Sequence, residues 1–419
     1  MSKIVFLFPG QGSQYVGMGK TLCEKYPAAK EVFDEANEVL GYDLKKICFN
    51  GPHDRLSETV NTQPAILTSS VAAFRVFNEE FGLEPDLAAG HSFGALSALV
   101  CAGGISFKDA LKLARLKGEY AEKAVAKKKS LMMAVENLKK EAVEKALKKV
   151  SGEVYVAIVN SPKQIIISGE KEAVESAEKE LLEAGAKTEY LYVSAPFHTP
   201  LLKEAAEKTK KAIQKIKFQK NKWPVLSSIN IKLHKEAKTM ADDLYLDLIK
   251  PTDWLAAVQY MTKNKIDTGI EIGPKAVLKK IMENTSDKIS VHSFISPKDM
   301  DGLKKDLKLD KESKEDVLIA CLRIFASTMN YNKDLEDFEN NAAGPYREIR
   351  KFLDELREKN KEATVENVAW SLEKLNLILN TKKLDPEEKR IRVKEEIFDI
   401  NGTLSHIPRV KRIFDEMMK

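Results

Sequence analysis

The sequence predicts an α/β protein with one inserted subdomain and a helical C-terminal region, and three observations support this prediction. Short apolar runs alternate with longer helical patterns from Ile4 to about Ser296, which is typical of α/β proteins. One segment within this range changes to the order βαββαβ, and beyond about Asp299 the chain is rich in charge and poor in glycine. We therefore expect three domains: a core formed by residues 1–129 and 194–298, an insert of residues 130–193, and a helical region of residues 299–419.

Three candidate strands of the core are apolar runs that end at turn residues. Ile4 to Phe8 is uninterrupted and stops at a Pro-Gly pair, as expected of a strand that is buried on both faces. Residues 86–89 lead into a glycine-flanked turn, and residues 269–274 combine a buried strand with a turn. Such strands belong in a sheet whose two faces are both covered.

The insert is predicted from six consecutive short elements. A strand, a helix, two strands, a helix and a strand are expected at 131–135, 139–150, 154–160, 164–168, 172–184 and 188–193. Ser161-Pro162-Lys163 supplies the turn between the two middle strands. This order matches the ferredoxin-like motif and indicates a small subdomain inserted in a larger one.

The region beyond Asp299 has the pattern of amphipathic helices. Residues 310–419 contain only two glycines, and their apolar residues recur at helical spacing. The recurring positions are Val317, Cys321, Ile324 and Phe325; Ile349, Phe352, Leu353 and Leu356; Val368, Leu372, Leu375 and Leu379; and Ile391, Ile397 and Phe398. Asp385-Pro386 predicts a further helix start, because aspartate caps helices and proline is favoured at the first helical position. We expect four or five helices.

The composition argues against several classes of function. With 68 Lys+Arg and 63 Asp+Glu the net charge is +5, which is too small to indicate nucleic acid binding. No apolar run approaches the roughly 18 residues that span a membrane, and the N-terminus lacks the long apolar region of a signal peptide. The four cysteines are widely spaced without a CxxC pair, which argues against a disulfide framework and a zinc site. We expect a soluble cytoplasmic protein without a bound metal.

The clearest chemical motif is Gly90-His91-Ser92-Phe93-Gly94, which fits GxSxG between a candidate strand and the apolar helix at 95–102. Glycines beside the serine permit the tight turn that exposes a nucleophilic hydroxyl. The helix that follows directs N–H groups and the positive end of its dipole at an oxyanion. Ser92 is therefore the candidate nucleophile, with a structural serine as the alternative.

A serine nucleophile needs a base, and the candidate is His198. It lies in Ser194-Ala195-Pro196-Phe197-His198-Thr199, after the last strand of the insert. There the chain returns to the core, and a loop at such a junction can face a cleft. By position alone, a capping or surface role for His198 is the alternative.

A glycine-rich turn follows the first strand, in Phe8-Pro9-Gly10-Gln11-Gly12-Ser13-Gln14. Its backbone N–H groups are suited to a second oxyanion donor. It has neither the GxGxxG spacing of a dinucleotide site nor the GK[ST] of a phosphate loop.

Several motifs occur together in one order along the chain. They are residues 8–14, residues 90–94, Asn160-Ser161-Pro162 with Ile167-Ser168-Gly169, residues 195–198, and residues 271–274. In this order and spacing they resemble the acyl carrier protein S-malonyltransferase family, over about residues 1–296. The resemblance implies an α/β-hydrolase-like core with a ferredoxin-like insert.

The resemblance also implies a two-step acyl transfer. Ser92 takes an acyl group from a coenzyme A thioester as an ester, with His198 as general base, and passes it to the phosphopantetheine thiol of an acyl carrier protein. The Gln11 and Phe93 backbone N–H groups form the oxyanion hole, and a backbone carbonyl near Asp253 orients the histidine. No bound cofactor is implied, because the coenzyme A thioester is a substrate.

The acyl-binding part of the site departs from the family pattern. The implied substrate-binding residues are His91, Lys117, Asn160 and Phe197. Malonyl-specific members usually have an arginine that grips the malonyl carboxylate with two hydrogen bonds, and Lys117 stands at that position. Arg115 lies two residues away and is expected on another side of the helix. Ala95 and Ala121 stand where the family commonly has Glu and Met.

These departures leave alternatives open. The first prediction is a malonyltransferase that tolerates the lysine, which Phe197 beside the histidine favours. A same-fold transferase for a different acyl group, or a hydrolase of acyl-carrier thioesters, is the second. A general serine esterase, a scaffold protein with a degenerate core, and a solvated helix position for Lys117 are further alternatives.

The expected partners are an acyl carrier protein and malonyl-CoA or another acyl-CoA, without nucleic acid or membrane. By length and architecture the C-terminal region resembles trans-acting acyltransferases of polyketide or mixed peptide–polyketide synthesis. It is expected either to dock on a synthase or to act as a helical cap. Eight lysines after His198 predict a surface that steers an acidic carrier: Lys203, Lys208, Lys210, Lys211, Lys215, Lys217, Lys220 and Lys222.

Overall fold

The computed structural model describes residues 3–126, 129–193, 195–234, 236–309, 311–398, 404 and 406–418. The chain forms two compact units. The larger unit contains Lys3–Phe77 and Pro85–Asp299, and the smaller unit contains Asn78–Glu84 and Met300–Lys419. In the described residues, strands form two five-stranded sheets among many helices. The α/β class predicted from the sequence is confirmed.

The strands and helices up to the C-terminal region have the following bounds. The strands are β1 (Ile4–Phe8), β2 (Leu87–Gly90), β3 (Ser130–Glu136), β4 (Val154–Ser161), β5 (Gln164–Glu170), β6 (Lys187–Tyr190), β7 (Val225–Leu226), β8 (Thr252–Asp253), β9 (Thr268–Glu271) and β10 (Ser290–Ser293). The helices are α1 (Lys20–Lys25), α2 (Pro27–Leu40), α3 (Leu44–Asn50), α4 (His53–Ser57), α5 (Thr59–Phe81), α6 (Gly94–Cys101), α7 (Phe107–Val125), α8 (Lys140–Leu147), α9 (Lys171–Glu183), α10 (Lys203–Ile213), α11 (Ala237–Leu246), α12 (Trp254–Lys263), α13 (Val277–Glu283) and α14 (Pro297–Asp306). A short 3₁₀ helix, Pro200–Leu202, precedes α10.

The first sheet has the strand order β10-β9-β1-β2-β7, and each neighbouring pair is parallel. Its central strand β1 is the apolar run Ile4–Phe8, whose five residues are all buried, so this strand prediction is confirmed. Phe8 lies opposite Gly90, and Leu7 lies opposite Glu271. Because parallel strands end at one edge of a sheet, the turns after β1, β2 and β9 meet at that edge.

Glu271 ends β9 and holds the start of the next helix. Its carboxylate is buried and accepts hydrogen bonds from the backbone N–H groups of Val277, Leu278 and Lys279, each at 2.9 Å. The first N–H groups of a helix have no partner within it, and a carboxylate suits them. The motif at residues 271–274 therefore connects a strand to a helix.

The second sheet has the strand order β6-β3-β5-β4-β8. Strands β3 to β6, with α8 and α9, follow the predicted order βαββαβ, and their pairs are antiparallel. Strand β8 lies outside the insert in sequence and pairs in parallel with β4, where Thr252 lies opposite Ile158. The insert is therefore joined to the core by a two-residue strand, which is too short to be recognised in the sequence.

Two elements of the insert are shorter than predicted. The helix expected at 139–150 ends at Leu147, because the N–H groups of Lys149 and Val150 bond to carbonyls three residues back. The strand expected at 188–193 ends at Tyr190. The Val193 N–H group bonds to the Leu191 carbonyl at 2.8 Å, a tight turn that ends pairing with β3.

The smaller unit is helical, as predicted, but six α-helices begin in its described residues beyond Asp299 rather than the four or five expected. Its helices are α15 (Lys311–Ser327), α16 (Leu335–Phe338), α17 (Gly344–Glu358), α18 (Val365–Thr381), α19 (Pro386–Val393) and α20 (Pro408–Met417), with π-helical turns at Glu339–Ala343 and Lys394–Phe398. Most of the predicted apolar positions are buried, including Cys321, Ile349 and Leu372. Ile391 is 47% exposed, and Val393 is the residue that α19 buries instead. Across the described ranges, each helix is too short or too polar to span a bilayer.

A buried lysine closes the end of α15. The Lys382 ammonium, at the end of α18, donates hydrogen bonds to the carbonyls of Phe325 and Thr328 and to Thr328 Oγ1, and it lies 4.3 Å from the centre of the Phe325 ring. The last carbonyls of a helix have no partner within it. Burial lowers the pKa of Lys382, and these acceptors compensate its ammonium for lost water.

We expect Lys382→Met to destabilise the smaller unit by about 1–3 kcal/mol, because it leaves buried carbonyls without a donor. Lys383→Met is the control, since Lys383 is the adjacent lysine and its side chain is exposed. Hydrogen–deuterium exchange of the α15 peptide measures the effect. Equal protection of α15 in both variants would show that the ammonium contributes nothing to this helix end.

Candidate active site

Ser92 lies in the turn between β2 and α6, in a left-handed conformation with φ of 51°. The positions of Gly90 and Gly94 leave no room for a Cβ atom, so both must be glycine. A Cβ atom on Gly90 would lie 2.1 Å from Ala95 N, and one on Gly94 would lie 2.0 Å from the Phe8 carbonyl oxygen. The positive φ of Ser92 is a strained conformation for a residue with a side chain. Such backbone strain persists only where the surrounding structure enforces it, and it is common at functional sites. The predicted strand–turn–helix setting of GxSxG is confirmed.

Ser92 and His198 are in direct contact, although 106 residues separate them. The distance from Ser92 Oγ to His198 Nε2 is 2.6 Å. His198 also has a positive φ of 63°, is 2% exposed, and is fixed by a hydrogen bond from its N–H group to the Leu248 carbonyl. His198 is therefore not a surface residue, and its ring faces the serine.

The contacts of the other ring nitrogen, Nδ1, determine which tautomer of His198 is present. Nδ1 lies 3.3 Å from the Lys250 carbonyl oxygen and 3.4 Å from Thr252 Oγ1. A carbonyl can only accept, so the tautomer that satisfies this contact has its proton on Nδ1. Nε2 is then the free acceptor for the Ser92 hydroxyl proton, as a general base must be.

The carbonyl beside His198 differs from the predicted one. Asp253 was expected to orient the histidine, but the carbonyl at hydrogen-bond distance belongs to Lys250. The Asp253 carboxylate instead accepts the Ala256 N–H group at 2.9 Å and caps α12, and its own N–H group bonds to the Ser228 carbonyl. Asp253 is thus part of β8 and caps the start of α12.

Burial also sets the charge state of the histidine. Desolvation lowers the pKa of His198, while the negative charge of Asp247 opposes this shift. The ring is therefore neutral around neutral pH and able to accept a proton.

The turn after β1 lies directly against the serine turn. A Cβ atom on Gly10 would lie 2.4 Å from the His91 carbonyl oxygen and 3.5 Å from Phe93 N. The His91 N–H group bonds to the Phe8 carbonyl at 3.0 Å, which joins the two turns. Within the described part of the chain, the N–H groups of Gln11 and Phe93 donate to no protein acceptor. The predicted pair of donors is thus available beside Ser92.

His91 and Asn160 are brought together across the two sheets. The distance from His91 Nε2 to Asn160 Oδ1 is 2.7 Å, and Asn160 Nδ2 donates to Gln164 Oε1 at 3.1 Å. Because the amide donates on one side, its oxygen accepts from His91 Nε2–H. The His91 ring also packs against the Trp254 ring in a T-shaped arrangement, with ring centres 5.4 Å apart. Burial lowers the pKa of His91 to about 4.

Lys117 is fully buried, so a solvated position on its helix is wrong. Its side chain is 1% exposed, and its Nζ atom lies 2.6 Å from Asp247 Oδ2 and 5.8 Å from the centre of the Phe93 ring. Arg115 points elsewhere, as predicted: it pairs with Glu119 at 2.9 Å and lies over the Tyr42 ring. Sequence reasoning missed Asp247, because nothing in its local sequence links it to a residue 130 positions away.

The remaining predicted positions form an apolar wall. Phe197 is 7% exposed and belongs to a buried cluster that includes Ala121, Met132 and Ile158, and its ring centre lies 6.5 Å from that of His198. Ala95, in α6, is partly buried. A cavity of about 560 Å³ borders His198 on another side, and Lys250, Pro251, Val156 and Tyr155 are among its lining residues.

Comparison with known proteins identifies the family of this chain. Residues 5–319 match the acyl transferase domain family. The chain belongs to this family. Its relatives include malonyl CoA-acyl carrier protein transacylases from Bacillus subtilis, 32% identical over 403 residues and covering 94% of this chain and all of the relative, and from Escherichia coli K12, 38% identical over 303 residues and covering 72% of this chain and 98% of the relative.

Solved structures are also similar to this chain in fold and sequence. A complex of a type II polyketide synthase acyl-carrier protein with its malonyl-transacylase matches with a TM-score of 0.70 and 37% identity, over 73% of this chain and all of that one. An acyl carrier protein S-malonyltransferase from Vibrio cholerae matches with a TM-score of 0.69 and 39% identity, over 72% of this chain and all of that one.

We expect His91 to stay neutral down to a pH of about 4, because burial disfavours its imidazolium form. Asn160→Asp should raise this pKa, since it places a carboxylate at the contact with Nε2. Nitrogen-15 NMR of the histidine rings, with His91→Gln to assign the signal, measures both values. A His91 that titrates near 6.5 in the unmodified protein would contradict the burial argument.

Proposed function

We propose that this acyl transferase moves a malonyl group from malonyl-CoA to the phosphopantetheine thiol of an acyl carrier protein. The contact between Ser92 Oγ and His198 Nε2, at 2.6 Å inside the GxSxG turn, carries this proposal. The names of the relatives support the donor and the acceptor.

The first half-reaction forms an ester on the serine. His198 Nε2 takes the hydroxyl proton while Ser92 Oγ attacks the thioester carbonyl. The carbonyl oxygen becomes an anion, which the N–H groups of Gln11 and Phe93 and the start of α6 stabilise. The carbon–sulfur bond then breaks, and the thiolate of coenzyme A takes the proton from His198.

The second half-reaction reverses these steps with another thiol. The carrier's phosphopantetheine thiol gives its proton to His198, and its sulfur attacks the serine ester. The oxygen of Ser92 leaves and regains the proton from His198. Water in place of the thiol would make the protein a hydrolase, so exclusion of water from the ester decides between transfer and hydrolysis.

The roles of the surrounding residues follow from their contacts. His91 and Asn160, hydrogen-bonded across the two sheets, fix the floor of the acyl site, and Phe197 walls it. Lys117 supplies the cation for the malonyl carboxylate. The parallel sheet behind Ser92 and the βαββαβ insert support an α/β-hydrolase-like core, residues 1–129 and 194–298, with a ferredoxin-like insert at 130–193.

Eight exposed lysines after the catalytic loop support an acidic carrier as the partner. Lys208, Lys211 and Lys215 face Lys112 across a groove of about 450 Å³ between α7 and the α10 segment. Leu113, Leu116, Ala212 and Ile216 line the same groove. Asp109 also lines this groove, so its rim carries four lysines and one aspartate. A mainly basic rim around an apolar floor suits an acidic amphipathic helix.

We also propose that the protein acts in trans for a polyketide or mixed synthase in the cytoplasm and that the helical region 299–419 takes part in this role. The Bacillus subtilis transacylase matches 94% of this chain over its entire length, so a relative shares much of this region. Docking on a synthase through it belongs to the same proposal.

We expect Ser92→Ala to abolish covalent loading, because no other hydroxyl is positioned at His198 Nε2 in the described structure. His198→Ala should slow loading by about 10²–10⁴-fold, the usual contribution of a general base. Intact-mass spectrometry after exposure to malonyl-CoA measures the ester, and adding a carrier protein separates transfer from hydrolysis. A malonylated Ser92→Ala protein would exclude Ser92 as the nucleophile.

Reversing the charge of Lys208, Lys211 and Lys215 to Glu should slow transfer to the carrier by about tenfold or more at low salt. The difference should shrink at high salt, because ions screen exposed charges. Transfer to free pantetheine, an uncharged thiol, should be unaffected. The control makes the same change to Glu at three exposed lysines of the helical region, Lys351, Lys359 and Lys361. Equal carrier rates in both triple variants would remove the lysines from the docking surface.

A further inference from the structure

We propose that Asp247 is a specificity-determining residue: its carboxylate competes with the carboxylate of a malonyl group for Lys117 and so weakens the preference for malonyl over acetyl thioesters. This inference rests on the proposed acyl transfer through Ser92. It concerns which acyl groups the serine accepts.

Asp247 follows the last residue of α11, and its N–H group bonds to the Asp243 carbonyl at 2.8 Å. This places its side chain, 10% exposed, opposite the Lys117 side chain from α7. Burial disfavours the charged form of Asp247, but the positive charge of Lys117 and its hydrogen bond hold the pKa of Asp247 below its usual value. The carboxylate is therefore ionised and pairs with the ammonium.

The pair lies at the acyl site. Lys117 Nζ is 5.8 Å from the centre of the Phe93 ring, and Phe93 follows the nucleophile directly. Asp247 also acts electrostatically on His198 and His91, which places all of these groups in one buried region. Both histidines are neutral here, so Lys117 and Asp247 are the paired charges and their sum is zero.

A neutral pair receives a second carboxylate poorly. A malonyl carboxylate must either bind another N–H of Lys117 as a second anion next to Asp247, or displace Asp247 from the ammonium. In the first case the buried region gains an unbalanced negative charge, and in the second Asp247 loses its counter-charge. An acetyl group has no carboxylate and meets neither cost.

Lysine also offers a carboxylate fewer hydrogen-bond donors than arginine would. A guanidinium has five N–H groups in a planar fork and can hold two carboxylates on different edges, whereas an ammonium is one compact charge. The combination of Lys117 with Asp247 therefore narrows the difference in transition-state stabilisation between malonyl and acetyl thioesters.

The experiment compares malonyl-CoA and acetyl-CoA as donors for loading Ser92, as a ratio of kcat/KM values. Effects of Asp247 on His198 act on both donors and cancel in this ratio. Asp247→Asn keeps the side-chain shape and removes the charge, and we expect it to raise the malonyl-to-acetyl ratio by at least about tenfold, mainly through a lower KM for malonyl-CoA. Asp247→Glu should restore the original ratio.

Two further variants keep the test decisive. Asp243→Asn, one turn earlier on the same helix, removes a carboxylate that pairs with His234 and Asn230, and it should leave the ratio unchanged. Lys117→Arg retains the contact with Asp247 and adds donors, so it should raise the ratio even if Asp247→Asn fails to fold. An unchanged ratio in Lys117→Arg and in folded Asp247→Asn overturns the inference. A wild-type protein that loads neither donor on Ser92 overturns the proposed function instead.

Discussion

The parallel register of β1 against β2 and β9 is the constraint on which the active site depends. It ends the three strands at one edge, so that the turn after Phe8 and the turn around Ser92 lie in contact. The Phe8 carbonyl accepts the His91 N–H group and also limits the residue at position 94 to glycine. Backbone contacts therefore hold Ser92 and the two proposed oxyanion donors, the N–H groups of Gln11 and Phe93, close together.

The histidine reaches this edge through the second sheet. After β6 the chain leaves the insert, and His198 is held from the other side by the carbonyls of Leu248 and Lys250, just before β8. Since β8 pairs with β4, and β4 carries Asn160 against His91, the two sheets share the residues around the serine. A change in the position of β4 and β8 would therefore disturb the contacts of His198 and the His91–Asn160 hydrogen bond together.

Local patterns predicted the parts of this site that local physics determines. Ile4–Phe8 had to be a buried strand because it is apolar throughout, and Gly90 and Gly94 pointed to the strained serine turn. Position along the chain suggested His198 only weakly, and the ordered motifs made it specific. The contacts of Lys250 and Asp247 could not be predicted, because they depend on a two-residue strand and on a pairing across 130 residues. Similarly, the exposure of Ile391 follows from how α19 is packed.

Each buried titratable side chain of the site is either neutral or paired with an opposite charge, and this affects which acyl groups the proposed reaction can accept. Among the described residues, no carboxylate forms an ion pair with His91 or His198, and burial lowers the pKa of each, so both rings stay neutral around neutral pH. Lys117, which is equally buried, forms an ion pair with Asp247 at 2.6 Å. Buried ion pairs add little stability compared with apolar residues of similar volume, so stability does not account for this one. The pair lies beside Phe93, so under the proposed acyl transfer any acyl group that brings a charge to Ser92 must be balanced against a pair that is already complete.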